Sequence, residues 1–181
     1  MGKGHGPSLF SLISPEGPSY LFLPRFPRYT VALVCRVLVI DDEEGVLNSV
    51  RRRLERAGLK VSTCGGAAEA MEAIATIEKP FDVIVTDMSM DNPNSGLDVL
   101  SAAFARDLFA EVIVMTAYGN VGNAVECMRR GAFDYIEKNT PGVDAYEVLA
   151  MKIDQAMDRR RRDVRTVEMW ERAARSKERT G

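Results

Sequence analysis

The chain has 181 residues, 46% of them apolar and 28% charged, with a formal net charge of −2. That supports one domain of ordinary size with tails, and it excludes a chain that binds polyanions through its overall charge. No stretch reaches the roughly 18 apolar residues of a membrane span.

Residues 1–35 come first. The patch "SLFSLIS" follows Lys3, but its apolar core, Leu9 to Ile13, is shorter than a secretory leader needs, and prolines follow at 15, 18, 24 and 27. The segment reads as a Pro/Gly-punctuated tail, or as the product of a start placed too early. His5, the single histidine, lies in this tail and has no chemistry to support there.

Regular patterning begins at Arg36. "RVLVI" predicts a short buried strand, and "EGVLNSVRRRLERAG" a helix with apolar residues at 46, 47, 50, 54 and 57 and a terminating Gly58. "LKVSTC" alternates as a strand does, and "AAEAMEAIATIE" predicts a helix stopped by Pro80. A continuous apolar strand, "FDVIVTD", ends in an acid. "SGLDVLSAAFARDLF" predicts a helix, "EVIVMTA" a strand, "NVGNAVECMRRG" a helix closed by Gly131, and "AFDYIEK" a strand. A long helix from about Val143 then runs into the C-terminus.

Strands and helices alternate five times, and the central strands are continuous apolar runs rather than apolar on one face. That pattern predicts an α/β fold: a doubly wound, five-stranded parallel sheet covered by helices on both sides, with an extended C-terminal helix. Ligands in such sheets sit at the carboxyl ends of the strands. Those ends carry Asp41 and Asp42, Asp87, Thr116 and Lys138. Carboxylates this close repel unless a cation sits among them. A hard divalent ion such as Mg²⁺ takes carboxylate and carbonyl oxygens and bridges to phosphate. An Asp can accept a phosphoryl group as an acyl phosphate, and an ammonium with a hydroxyl can neutralise the oxygens of the transferred group.

"VLVIDDEE", "FDVIVTDMSM", "VIVMTAYG" and "AFDYIEK", in this order and spacing, resemble the four signatures of the receiver domain of two-component response regulators. The resemblance covers Arg36 to about Met157, and the wording is closest to receivers of the nitrogen-regulation type. It implies the strand order 2-1-3-4-5, with Asp87 as phosphoacceptor. Asp42 becomes a direct Mg²⁺ ligand, Asp41 a ligand largely through water, and Asp87 and the Ser89 backbone carbonyl further ones. Thr116 becomes the switch hydroxyl, Tyr135 the aromatic that turns inward with it, and Ala117 the small residue that leaves room. The implied phosphodonor is a phosphohistidine on a sensor histidine kinase or a histidine phosphotransfer domain, in the cytoplasm, with a protein effector downstream.

Two departures from the pattern stand out. The loop "DMSMDNPNSG" has Asp91 where proline is usual and is one residue longer, which adds negative charge near the site. Lys138 is followed by Asn139 rather than by proline. A phosphatase of the haloacid-dehalogenase type would need an acid two residues after Asp87, where Ser89 stands.

The three cysteines, Cys35, Cys64 and Cys127, have no metal-like spacing and read as reduced core thiols. Arg159 to Gly181 holds nine Lys or Arg against four Asp or Glu, a local +5 that leaves about −7 on the remainder. The run Arg159–Arg162 reads as a solvated helix face, ahead of a nucleic-acid contact. Ile153, Met157, Val164, Val167 and Ala174 keep a three-four spacing, interrupted by Arg160 and Glu171, that would suit a weak homodimer or a single protruding helix. The expected organisation is a tail over 1–35, a receiver over 36–157, and a basic helical extension over 158–181 with no output domain. Such a chain would act as a single-domain response regulator. The alternative is a DNA-binding or phosphate-independent scaffold acting through the C-terminal helix.

Overall fold

The computed structural model describes residues 35–178. Residues 1–34, His5 among them, and the last three residues lie outside them, while Cys35, the last residue of the expected tail, is buried in the core. Five strands alternate with five helices: β1 (Arg36–Ile40), α1 (Glu44–Arg56), β2 (Lys60–Cys64), α2 (Ala67–Thr76), β3 (Val83–Asp87), α3 (Ser95–Arg106), β4 (Glu111–Thr116), α4 (Val121–Arg129), β5 (Asp134–Glu137) and α5 (Ala145–Glu178). All strand pairs are parallel, in the order β2-β1-β3-β4-β5.

The pleat explains why the central strands are apolar throughout. Successive side chains point to opposite faces, so a strand covered on both sides needs apolar residues at every position. Leu38, Ile40, Ile84, Val112 and Val114 pack on one face with Ala70 and Ile74 of α2, Leu97 and Leu100 of α3, and Cys127 of α4. Val37, Val39, Val83, Val85 and Ile113 pack on the other with Val50 and Leu54 of α1 and Leu149, Ile153 and Ala156 of α5. All three cysteines are free and buried.

Gly58 (φ +87°) and Gly131 (φ +95°) take left-handed conformations just past α1 and α4, which only glycine adopts without strain. Two helices are shorter than the periodicity suggests. α2 stops at Thr76, where Ile77 is already extended. α3 stops at Arg106, because the Asp107 side chain accepts the Phe109 N–H (2.9 Å) and forms a turn of its own. Among the described residues every peptide bond is trans, Lys138–Asn139 included, and no helix is long and apolar enough to cross a membrane.

The topology fixes where chemistry can occur. β1 is followed on one side by β2 and on the other by β3, so the strand order reverses between β1 and β3. The crevice at the carboxyl ends of these two strands is the switch point where doubly wound sheets bind ligands.

Candidate phosphoryl-acceptor site

Asp41 follows β1, Asp87 ends β3, Thr116 ends β4 and Lys138 follows β5. The parallel register brings these ends to one edge. Asp41, Asp87 and Thr116 are each at most 6% exposed. The Lys138 Nζ lies 2.6 Å from Asp41 Oδ2 and 2.6 Å from Asp87 Oδ1. One ammonium thus bridges two buried carboxylates whose strands are neighbours in the sheet. Burial alone lowers the pKa of this ammonium, but the hydrogen bonds and charges of Asp41 and Asp87 outweigh it and leave the value above that of an ordinary lysine.

This bears on what keeps the acids ionised. The sequence reading assigns that task to a divalent ion, and the structure shows that the chain's own Lys138 already supplies a cation. Among the described residues no three acidic, histidine or cysteine side chains stand grouped to hold a metal. The donor set nonetheless suits Mg²⁺. Asp41 and Asp87 already share one cation, Asp42 is exposed beside them, and all the donors are hard oxygens.

The Ser89 N–H donates to Asp87 Oδ2 (2.7 Å), so one oxygen of the carboxylate is held by the backbone and the other by Lys138. The close approach of α3 depends on Gly96. Its N–H donates to the Met88 carbonyl (3.0 Å), and a Cβ there would stand 2.7 Å from the Asp87 carbonyl oxygen and 3.0 Å from Met88 Cα. Gly96 is therefore neither a cap nor a turn residue but a point of backbone contact behind the acceptor.

Thr116 Oγ1 accepts the Tyr118 N–H (3.2 Å), and the Thr116 carbonyl accepts the Lys138 N–H (2.7 Å). Ala117 is partly buried, and its carbonyl accepts from the Asn139 side chain (3.3 Å). The Tyr135 ring packs against the α2–α3–α4 layer. Its hydroxyl is buried and closes no hydrogen bond. Burial raises the pKa of this phenol, and the nearby Asn120 backbone and Thr116 hydroxyl only partly oppose it.

Asp41 and Asp42 precede α1 without capping it. Glu43 holds the N-cap position, and Asp41 Oδ1 accepts its N–H (3.0 Å). Asp91 does something the sequence did not suggest. Its carboxylate accepts the Ala67 N–H (3.3 Å) and so ties the lengthened β3–α3 loop to the first turn of α2. The extra length closes on itself: Asn92 Oδ1 accepts from the Asn94 N–H (2.8 Å), and the Ser95 hydroxyl accepts from the Asn92 N–H (3.0 Å).

The model of the response regulator receiver domain family matches residues 37–150, and the chain belongs to that family. Transcriptional regulatory protein FixJ of Azorhizobium caulinodans is 40% identical over 116 residues, which is 64% of this chain and 53% of FixJ. Acid tolerance regulatory protein ActR of Rhizobium meliloti is 32% identical over 123 residues, 68% of this chain and 60% of ActR. The chain thus spans little more than half the length of these curated relatives. A receiver domain protein from Clostridium thermocellum superimposes with a TM-score of 0.62 at 31% identity, covering 70% of this chain and 97% of that one. The chain therefore carries a receiver domain of two-component signalling.

Proposed function

We propose that Asp87 accepts a phosphoryl group from the phosphohistidine of a sensor histidine kinase or phosphotransfer domain, and that the change at this carboxylate switches a protein-binding surface or passes the group onward. The observation that carries this reading is the ammonium of Lys138 held 2.6 Å from Asp87 Oδ1 in a buried pair. A carboxylate oxygen attacks phosphorus in line, an O–P bond forms, and the P–N bond breaks. Its electron pair returns to the imidazole nitrogen, which takes up a proton. No general base is needed, because the nucleophile is already an anion.

Each of the site residues has a part in this step. Lys138 turns from bridging two carboxylates to neutralising a phosphoryl oxygen. The Ser89 N–H, now on Asp87 Oδ2, holds the carboxylate plane in place. The Thr116 hydroxyl, on the neighbouring strand, leaves the Tyr118 N–H and donates its own proton in a hydrogen bond to a second phosphoryl oxygen. Asp41, Asp42, Asp87 and the Ser89 carbonyl would hold Mg²⁺, which supplies charge neutralisation of the transferred group. Tyr135 follows Thr116, since its hydroxyl lies buried near that side chain with no fixed partner. The repacking of α4 and β5 that results would present the altered surface to a protein effector.

The test is transfer of radiolabelled phosphoryl from a phosphorylated histidine-containing domain to the purified chain. Label that is lost in base, as an acyl phosphate is, supports the reading. Label that is stable in base, or none under conditions where a known receiver is labelled, opposes it.

A further inference from the structure

α5 runs for 34 residues, from Ala145 to Glu178, and its last buried residue is Ala156. Met157 still packs against the core, and from Arg162 to Ser176 all but Val164 are exposed. Two consecutive arginines mark the place where the helix leaves the sheet. The Arg159 Nε donates to Glu111 Oε1 (2.8 Å), its second nitrogen bonds Glu111 Oε2, and its guanidinium lies 4.7 Å from the Phe133 ring centre. The Arg160 Nε donates to Asp82 Oδ1 (3.2 Å), and another of its nitrogens donates to Asp107 Oδ2 (2.7 Å). These partners are 48, 78 and 53 residues away in sequence. The pairs are partly desolvated: the Glu111 side chain is 3% exposed and that of Arg160 14%. Half of the run that reads in sequence as a solvated basic face is thus bound to the body.

The acids sit at a particular place. Glu111 opens β4, whose other end is Thr116, and Asp82 immediately precedes β3, whose other end is Asp87. The two strands that carry the acceptor and the switch hydroxyl at their carboxyl ends grip α5 at their amino ends. Beyond Arg161, Glu168 pairs with Arg172 (3.7 Å) and Glu171 with Arg175 (3.4 Å), both within the helix and at exposed positions. Such pairs add little, and a helix of this length without tertiary contacts is marginal in water. Buried charges are costly, and one attested use of them is to fix a single geometry.

We propose that Arg159 and Arg160, with Glu111, Asp82 and Asp107, form an ionic latch that sets the direction of the helical extension and keeps its root ordered. The extension is then a fixed lever on the receiver and not a loose tail. Its use in output rests on the receiver reading given above; the holding of the helix does not.

Trp170, the only tryptophan in the sequence, lies in the extension and is 73% exposed, so the intact chain carries its own reporter. The test is time-resolved anisotropy of Trp170 together with amide exchange over residues 161–170, in the absence of any phosphodonor. Wild type is compared with Arg160→Met, which keeps the aliphatic stem, and with the pair Asp107→Asn and Glu111→Gln, which keeps shape. The expected result is a fast segmental component in the decay and a loss of exchange protection of at least about tenfold in both. If Arg160→Met does not fold, the double variant decides alone. Folded variants with the wild-type decay and wild-type protection would overturn the latch. Because no phosphoryl group is involved, that failure is distinct from a failure of Asp87 to be phosphorylated.

Discussion

The ammonium of Lys138 stands 2.6 Å from an oxygen of Asp87, though the two side chains come from strand ends that are not adjacent in the sheet. Because it also touches Asp41, its loss leaves two buried carboxylates without a cation. Lys138→Met should therefore destabilise the chain by about 3 kcal/mol in the absence of divalent ions, measured by urea unfolding, with part of that recovered on adding Mg²⁺. A loss under about 1 kcal/mol with no Mg²⁺ dependence would show that the acids do not rely on this charge.

The same ion pair has a pH signature. The folded-state pKa of Lys138 lies above its ordinary value of 10.5, so its contribution to stability is complete below pH 10.5 and lost as pH rises through the raised value. The stability difference between wild type and Lys138→Met should be flat between neutral pH and 10.5 and shrink above it. A difference that persists unchanged well above that pH would assign the effect to another group.

Asp42 is exposed and lies outside the Lys138 bridge. Asp42→Asn should weaken Mg²⁺ binding by roughly 10–100-fold, as read by titration calorimetry, and leave the melting temperature without metal nearly unchanged. Equal metal affinity in the two proteins would remove Asp42 from the ligand set.

Gly96→Ala would push a Cβ against the Asp87 carbonyl oxygen at 2.7 Å, and both near neighbours are backbone. A cost of about 1–3 kcal/mol is expected in thermal or urea unfolding. Tyr135→Phe offers a contrast. It removes a buried hydroxyl that closes no hydrogen bond, so stability should stay within about 1 kcal/mol of wild type or rise.

Burial pushes the Cys35 thiol up to about 12 and the Cys64 thiol up to about 11. Cys127 is raised as well, for the same reason. At pH 8 all three should be inert to a thiol reagent in the folded chain and react promptly in denaturant. Fast labelling of a native thiol would reveal local opening of the structure around that residue.

Most of the fold was legible because local pattern and tertiary role agree. Three apolar runs ending in Asp41, Asp87 and Thr116, and the mixed run ending in Lys138, announce both the parallel strands and the edge where their ends meet. What stayed hidden depends on partners distant in sequence. Nothing near Arg159 or Arg160 points to Glu111, Asp82 or Asp107, so a run of arginines on a helix reads as solvated. Asp91 looks like an added negative charge until the fold brings the first turn of α2 to it. The bridging posture of Lys138 was hidden in a subtler way: the residue was identifiable, but which of two acids it would face, or whether both, is decided by the β1–β3 neighbourhood. The early end of α3 at Arg106 has the same origin, a side chain at Asp107 that turns the backbone and is itself held from α5.

The most direct measurement on the central claim is the intact mass of the chain after incubation with a small phosphodonor and Mg²⁺, wild type beside Asp87→Asn. The expected result is a gain of one phosphoryl group that is labile to base and absent from the variant. A wild type that binds Mg²⁺ and gains nothing, or a variant that gains the same mass, would contradict the assignment of Asp87 as the acceptor.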